Sequence, residues 1–283
     1  MVLEYKVTEN NKTINEIIRN EFNLSSRLFY KLIHNREIYL NSAPVDTRQI
    51  AKIGDIITID LNYDEDNSNI VPLKMELNII YEDDALLILN KPAGIAVHPS
   101  ILHYDNSLAN GVRYYFDSIN LKKKIRPVNR LDFDTSGLII FAKNEYVQEN
   151  LIRQMQNNTF HKEYLCLAEG IFENSKGTIN ASIDRKPNSI IERCVNPDGK
   201  TAVTHYEVLK SFDNYSLVKC ILETGRTHQI RVHLAYIGHP LLGDSLYGHP
   251  SDIINRQALH SYKISFLHPI SNKEVNFICE PNF

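Results

Sequence analysis

The densest run of reactive side chains is Arg126-Pro-Val-Asn-Arg-Leu-Asp-Phe-Asp-Thr-Ser-Gly-Leu138, where two carboxylates, two arginines and two hydroxyls stand directly before a hydrophobic stretch. Groups packed this closely must satisfy one another. Asp132 and Asp134, at i and i+2, share a face if the backbone is extended. In a turn, Asp134 is better placed to cap backbone N–H groups together with Thr135 and Ser136, closing at Gly137. The segment therefore reads either as an ordinary turn or as a carboxylate held for chemistry.

A second cluster, Glu223-Thr-Gly-Arg-Thr-His-Gln-Ile-Arg-Val-His233, has the form of a strand end, a glycine turn and a helix start capped by Thr227. Arg226 projects from that turn, as a plain surface cation or as a partner for a carboxylate or an RNA phosphate. His228, His233 and His239 invite a metal reading. The first two are five residues apart, which places them on no common face of a helix or strand, so no metal site is expected.

Asn90-Lys91-Pro92-Ala-Gly-Ile-Ala-Val-His98-Pro99 has the punctuation of a fixed loop after a strand. Between Leu121 and Lys162 eight cations, Lys122, Lys123, Lys124 and Arg130 among them, outnumber four acids. Such a local basic surface around Asp132 suits a polyanion, although a solvated charged face would look the same. Tyr164 sits in a candidate strand, where an aromatic residue ordinarily belongs to the core.

The elements that must position these groups are legible from periodicity. Thr13 and Glu16 form a capping-box pattern ahead of Ile14, Ile17, Ile18 and Phe22 at helical spacing. A second helix is expected from Ser25 or Ser26, followed by strands over residues 37–40 and 55–60 around the turn Asn41-Ser42. Residues 62–69 are polar and acidic with nothing to bury, and mark a linker. The expected organisation is a small domain over 1–61, a linker over 62–74 and a larger domain over 75–283. In the larger domain, strands are expected over 77–81, 86–90, 137–143, 162–168, 201–209 and 216–223, with helices over 145–157 and 227–237. Two strands follow one another directly over 201–223, so the expected class is α+β with a mixed, mainly antiparallel sheet and flanking helices.

At 283 residues, with 43% hydrophobic content, the chain can bury a substantial core. Lys and Arg total 31 against 34 Asp and Glu, so overall charge gives no sign of nucleic acid and any basic surface must be local. Cys166, Cys194, Cys220 and Cys279 are widely spaced with no C-x-x-C pair, which reads as reduced, mostly buried thiols. The N-terminal residues have no apolar h-region and no stretch approaches a membrane span in length, so a cytoplasmic location is expected.

Taken together, these segments resemble the pseudouridine synthases of the large-subunit ribosomal RNA type. The hallmark His-Arg-Leu-Asp-x-x-Thr-Ser-Gly is matched by Asn129 through Gly137, with Asn129 in place of the usual His. The resemblance continues through Asn90-Lys-Pro-Ala-Gly, His161-Lys-x-Tyr164, Gly225-Arg-Thr-His-Gln-Ile-Arg-Val-His-Leu and Gly238-His-Pro-Leu-Leu-Gly-Asp244 with Tyr247-Gly248, across the larger domain. The smaller domain resembles the S4 RNA-binding fold, Ser26-Arg-Leu-Phe-Tyr-Lys-Leu-Ile matching its helix and Gly54-Asp55-Ile its closing strand. That makes Arg27 and Lys31 candidates for RNA contact, although charges over residues 13–60 balance at six of each sign.

The resemblance implies an isomerase that breaks the C1′–N1 bond of a uridine, turns the base and rejoins it through C5, with no cofactor or metal. It implies that Asp132 either attacks covalently or removes the 2′ proton, that Arg226 pairs with it, and that Tyr164 stacks on the base. Arg130 would fill the gap left by the flipped uridine, and Lys122, Lys123 and Lys124 would contact phosphates. Structured RNA is the expected partner, ribosomal rather than transfer RNA, with the protein acting as a monomer. The competing readings are a weakly catalytic RNA-binding assembly factor and a nucleoside-cleaving hydrolase. The intact set Asp132, Tyr164 and Arg226 speaks against the first. The lack of a well-placed second carboxylate speaks against the other.

Overall fold

The computed structural model describes residues 1–100 and 104–283. Strand β1 (Val2–Lys6), not anticipated from the sequence, opens a small α/β unit. Helix α1 (Ile14–Glu21) starts at the capping box: the Thr13 hydroxyl accepts the Glu16 amide, and the Glu16 carboxylate accepts the Thr13 amide at 2.8 Å. Helix α2 (Ser26–Asn35) is capped by Ser25. Strands β2 (Ile38–Leu40) and β3 (Ala43–Pro44) form a hairpin whose turn residues, Asn41 and Ser42, both have positive φ, as a two-residue turn with the right twist requires. With β4 (Ile56–Asp60) they complete an antiparallel sheet of order β1-β4-β2-β3. Leu3, Ile14, Ile18, Leu28, Leu32, Ile57 and Ile59 close the core beneath it.

The segment expected as a free acidic linker is tied down. Glu65 and Asn67 are buried. Glu65 accepts both terminal nitrogens of Arg126, at 2.5 and 2.7 Å, and the Lys31 ammonium at 2.9 Å. Lys31 also reaches Glu145, at 2.9 Å, on the next unit. A buried carboxylate is tolerated only with such compensation, and here the cations that provide it come from both units. Burial works against the charge of Glu65, but Arg126 and Lys31 outweigh it and bring the carboxyl down to about 2.

The larger unit begins with β5 (Ile79–Glu82) and β6 (Leu86–Lys91), then α3 (Leu108–Ser118), which periodicity did not reveal. Next come β7 (Arg126–Pro127), β8 (Ser136–Ala142), α4 (Glu145–Gln156) and β9 (His161–Glu169). They are followed by β10 (Lys176–Asn180), the hairpin β11 (Ile183–Arg185) and β12 (Arg193–Val195), and β13 (Val203–Ser211) with β14 (Tyr215–Leu222). Helix α5 (Gln229–Tyr236), β15 (Leu259–Leu267) and β16 (Glu274–Ile278) complete the order. Ten of these strands form one sheet with the path β10-β13-β14-β9-β15-β8-β6-β5, β16 pairing with β15 and β7 with β8. Every pairing is antiparallel except β15 with β8, in keeping with the expected mixed α+β class.

Strands β6 and β8 read as continuous apolar runs because both their faces are covered. Leu87, Leu89, Ile139 and Phe141 join the core with residues of α3 and α5. Leu86, Ile88, Leu138 and Ile140 face Val147 and Leu151 of α4. Strand β15, drawn from late in the chain, separates β8 from β9. Its Ser261 is the register partner of Gly137 on one side and of Tyr164 on the other. At Gly137, φ is +107° and a Cβ would lie 2.3 Å from the Ser261 carbonyl oxygen, so only glycine fits.

Candidate active site

The loop carrying Asp132 hangs from the start of β8 and is fixed from two sides. On one, buried Asn129 donates to the Leu138 carbonyl at 3.2 Å and accepts the Ile140 amide at 2.9 Å. The residue standing in place of the usual His thus ties the loop to the strand it precedes. On the other, Lys91 is fully buried and donates to the carbonyls of Pro92, Ile95 and Phe133 at 2.9, 2.8 and 2.9 Å. Three acceptors match the three protons of an ammonium. Burial nonetheless pushes Lys91 down to about 7. Between these supports a tight turn runs from Asp132 to Thr135, whose amide donates to the Asp132 carbonyl at 3.1 Å. The turn uses the Asp132 backbone and leaves its carboxylate free to face a cleft.

That carboxylate meets Arg231, not Arg226. Arg231 Nη1 lies 3.3 Å from Asp132 Oδ2, while its Nε and Nη2 donate to the two oxygens of Asp244 at 2.7 and 2.8 Å. Asp244 is fully buried and also accepts the amides of Leu246 and Tyr247. Burial acts against the Arg231 charge, but Asp244 and then Asp132 outweigh it and hold the guanidinium above its ordinary range. Arg226 stays exposed at the rim, its Nε donating to the Thr201 carbonyl at 2.9 Å. Gln229 fixes that turn by accepting the Arg226 amide and the Thr224 hydroxyl. The N-cap of α5 is His228 in the left-handed region, φ +58°, rather than the expected Thr227. Its Nδ1 is 2.8 Å from the Tyr247 hydroxyl and its Nε2 is 3.9 Å from Asp132 Oδ2. Burial lowers the His228 pKa.

The cleft, about 980 Å³, is lined by Asp132, Tyr164, Arg130, Arg226, Lys162 and Thr227 among others. Tyr164, brought in by β9, is buried; desolvation first and the Asp132 charge second hold its phenol well above the usual range. Arg130 is exposed and reaches the Thr227 hydroxyl at 3.5 Å across the opening.

The expected RNA-facing cations fare unevenly. Lys123 is buried, and its ammonium donates to the carbonyls of Leu61 and Tyr63 at 2.6 and 2.5 Å, which removes it from any phosphate surface. Lys31 is held between Glu65 and Glu145. Lys122 pairs with Asp64 at 3.3 Å. Lys124 and Arg27 remain exposed, Arg27 with its Nε 3.6 Å from Glu145. The expected local excess of charge is therefore partly neutralised by acids that the chain returns from residues 64 and 65. None of these five lysines and arginines lines the Asp132 cleft. Arg231, Asp244 and the role of Lys91 were not singled out from the residues. The available signal was an arginine set between the apolar residues Ile230, Val232 and Leu234 of one short helix, where a buried guanidinium demands a carboxylate. Among the described residues no three His, Cys, Asp or Glu side chains gather as a metal site, and no helix is long and apolar enough to cross a membrane.

Residues 85–236 match the family model described as RNA pseudouridylate synthase. The chain is 43% identical, over 91% of its length and 85% of the relative, to a Bacillus subtilis protein named uncharacterized RNA pseudouridine synthase YhcT. It is 38% identical, over 85% of its length and 67% of the relative, to ribosomal large subunit pseudouridine synthase D of Neisseria meningitidis serogroup B. Among solved structures, human RNA pseudouridylate synthase domain containing 1 superposes with a TM-score of 0.59 at 29% identity, covering 73% of this chain and 84% of that one.

Proposed function

The chain belongs to the RNA pseudouridylate synthase family, and from that premise we propose that it isomerises uridines of large-subunit ribosomal RNA with Asp132 as the reacting carboxylate. The observation that carries the assignment is the contact of the cleft-lining Asp132 with buried Arg231 behind it, on a loop clamped by Asn129 and Lys91. Ribosomal RNA is favoured by the names of relatives such as the Neisseria protein. In this reading Arg231 orients Asp132, Tyr164 packs against the target base, and Arg130 enters the space the flipped base leaves behind. Residues 1–61 act as an S4-like RNA-binding domain, Arg27 and the neighbouring exposed Tyr30 lying on its second helix. The protein works in the cytoplasm as a monomer and requires no cofactor.

The test is to incubate the purified protein with ribosomal RNA transcripts, digest to nucleosides and quantify pseudouridine beside free uracil. Pseudouridine without uracil is expected. Released uracil would identify a hydrolase, and modification of transfer RNA alone would move the substrate.

A further inference from the structure

We propose that the cavity on the outer side of Arg226, between the β11–β12 hairpin and the turn opening α5, binds one phosphodiester of the RNA strand that enters the Asp132 cleft; this rests on the proposed RNA substrate. The cavity is about 310 Å³ and is lined by Asp184, Arg185, Arg193, Lys200, Arg226 and the backbone around Gly225. That is on the order of ten water volumes, enough for a phosphate group with its nearest waters. Four cations thus face one carboxylate, and the Asp184 oxygen Oδ1 is already engaged by the Arg185 amide at 2.7 Å.

The hairpin register sharpens the case. Arg185 and Arg193 are direct cross-strand partners, and like charges placed opposite one another destabilise a strand pair. One position further out, the same hairpin sets Lys186 against Glu192, with a 2.8 Å ion pair. Opposite charges are therefore matched where no ligand is needed and unmatched over the cavity. Among the described residues no carboxylate lies within ion-pair distance of the Arg185, Arg193, Lys200 or Arg226 side chains. A bound anion would remove that repulsion.

The backbone under these cations is fixed before any ligand arrives. Lys200 and Ile183 exchange two backbone hydrogen bonds of 2.9 Å, and the Arg193 amide donates to the Tyr247 hydroxyl at 2.8 Å. Gly225, Arg226 and Thr227 line both this cavity and the Asp132 cleft. A strand placing a uridine beside Asp132 therefore passes its backbone over this pocket. Arg226, whose Nε is held by Thr201, offers its terminal nitrogens at the point where the two spaces meet.

The experiment compares the parent with Arg185→Ala/Lys200→Ala and with the charge-keeping Arg185→Lys/Lys200→Arg, after melting curves establish that all are folded. The probe is a fluorescein-labelled, uridine-containing stem-loop transcribed from large-subunit ribosomal RNA, titrated across a salt series. Losing one phosphate contact should make the slope of log affinity against log salt shallower by about one, and weaken binding on the order of tenfold at low salt. The charge-keeping variant should follow the parent, and the single-turnover rate at saturation should hold within about twofold, since the contact positions the strand without touching the reacting atoms. An unchanged slope in the alanine variant overturns the site, as does an unchanged slope with a collapsed saturating rate. Binding is read without turnover, so the two readings separate. Pseudouridine formation with an unchanged slope removes the phosphate site alone. A shallower slope with no pseudouridine removes the isomerase reading and leaves the site standing.

Discussion

Arg231 gives two of its nitrogens to Asp244, at 2.7 and 2.8 Å, and only the third to Asp132, at 3.3 Å. The buried carboxylate thus sets the position of the guanidinium that the cleft carboxylate meets. Replacing Asp244 by Asn keeps the shape and removes the charge. The expected result is a single-turnover rate lower by about a hundredfold, the loss typical of a misplaced catalytic partner. RNA affinity should change little, and stability should fall by about 3 kcal/mol, because one member of a buried pair is left uncompensated. Rate at saturation and a denaturant titration check both. A parent-like rate would reduce Asp244 to a structural residue.

Asp132→Asn should abolish pseudouridine formation while leaving RNA binding intact. Asn and Asp have similar capping preference, so a role confined to the turn would survive the exchange. Asp134→Asn is the control; the Asp134 backbone carbonyl accepts from Arg256 at 3.2 Å whatever the side chain is, and at most a modest loss is expected. Pseudouridine formed by Asp132→Asn at an appreciable rate would sink the assignment.

The three consecutive lysines should behave differently from one another. Lys123→Met leaves the carbonyls of Leu61 and Tyr63 buried without a donor and should destabilise the fold by about 1–3 kcal/mol with no change in salt slope. Lys124→Ala should alter stability by less than about 0.5 kcal/mol and make the salt slope shallower. Melting temperature and salt-dependent binding, measured on each variant, distinguish the two.

Glu65 supplies a pH test. Its carboxyl is brought from 4.5 down to about 2, so its contribution to stability is fully present above about 4.5 and is lost as pH falls through about 2. The corresponding contribution is roughly 3 kcal/mol. Glu65→Gln should therefore be less stable than the parent near neutrality, and the difference should shrink between pH 4.5 and 2. Denaturant unfolding across that range is the measurement; a difference independent of pH would show that packing, not charge, is what the substitution removes.

Periodicity located α1, α2, α4, α5 and half of the strands, either by one apolar face against one neighbour or, for β6 and β8, by the continuous apolar run of a strand covered on both faces. It missed α3, where Asn110, Gly111 and a run of aromatics blur the helical pattern although Asn110 and Gly111 are buried. It missed β15 because His260, Ser261, Lys263 and Ser265 interrupt the apolar signal of a strand whose polar groups are largely satisfied or covered inside the sheet. At the site, Asp132 and Arg130 were legible as chemistry-bearing residues, whereas Tyr164 reads as a core aromatic and enters only through the family resemblance; the structure brings all three to one cleft. The partner of Asp132 was not legible: the residues leave Arg226 open as a surface cation or an anion partner, the resemblance implies that it pairs with Asp132, and in the structure Arg231, buried within α5, makes that contact. Lys123 and Lys31 were misplaced for a related reason: counting charge along the sequence takes no account of acids folded back from residues 64 and 65.

Every residue lining the Asp132 cleft precedes Thr227 or is Thr227 itself, and Arg231 and Asp244 follow soon after. Yet the strand that joins the Asp132 half of the sheet to the Tyr164 half is β15, which begins only at Leu259. During synthesis a nascent chain therefore holds all of its reacting groups before it holds the wedge that sets them against one another. Pairing so distant in sequence is slow to form. The two halves of the sheet are thus set against one another only once residues 259–267 take their place between β8 and β9.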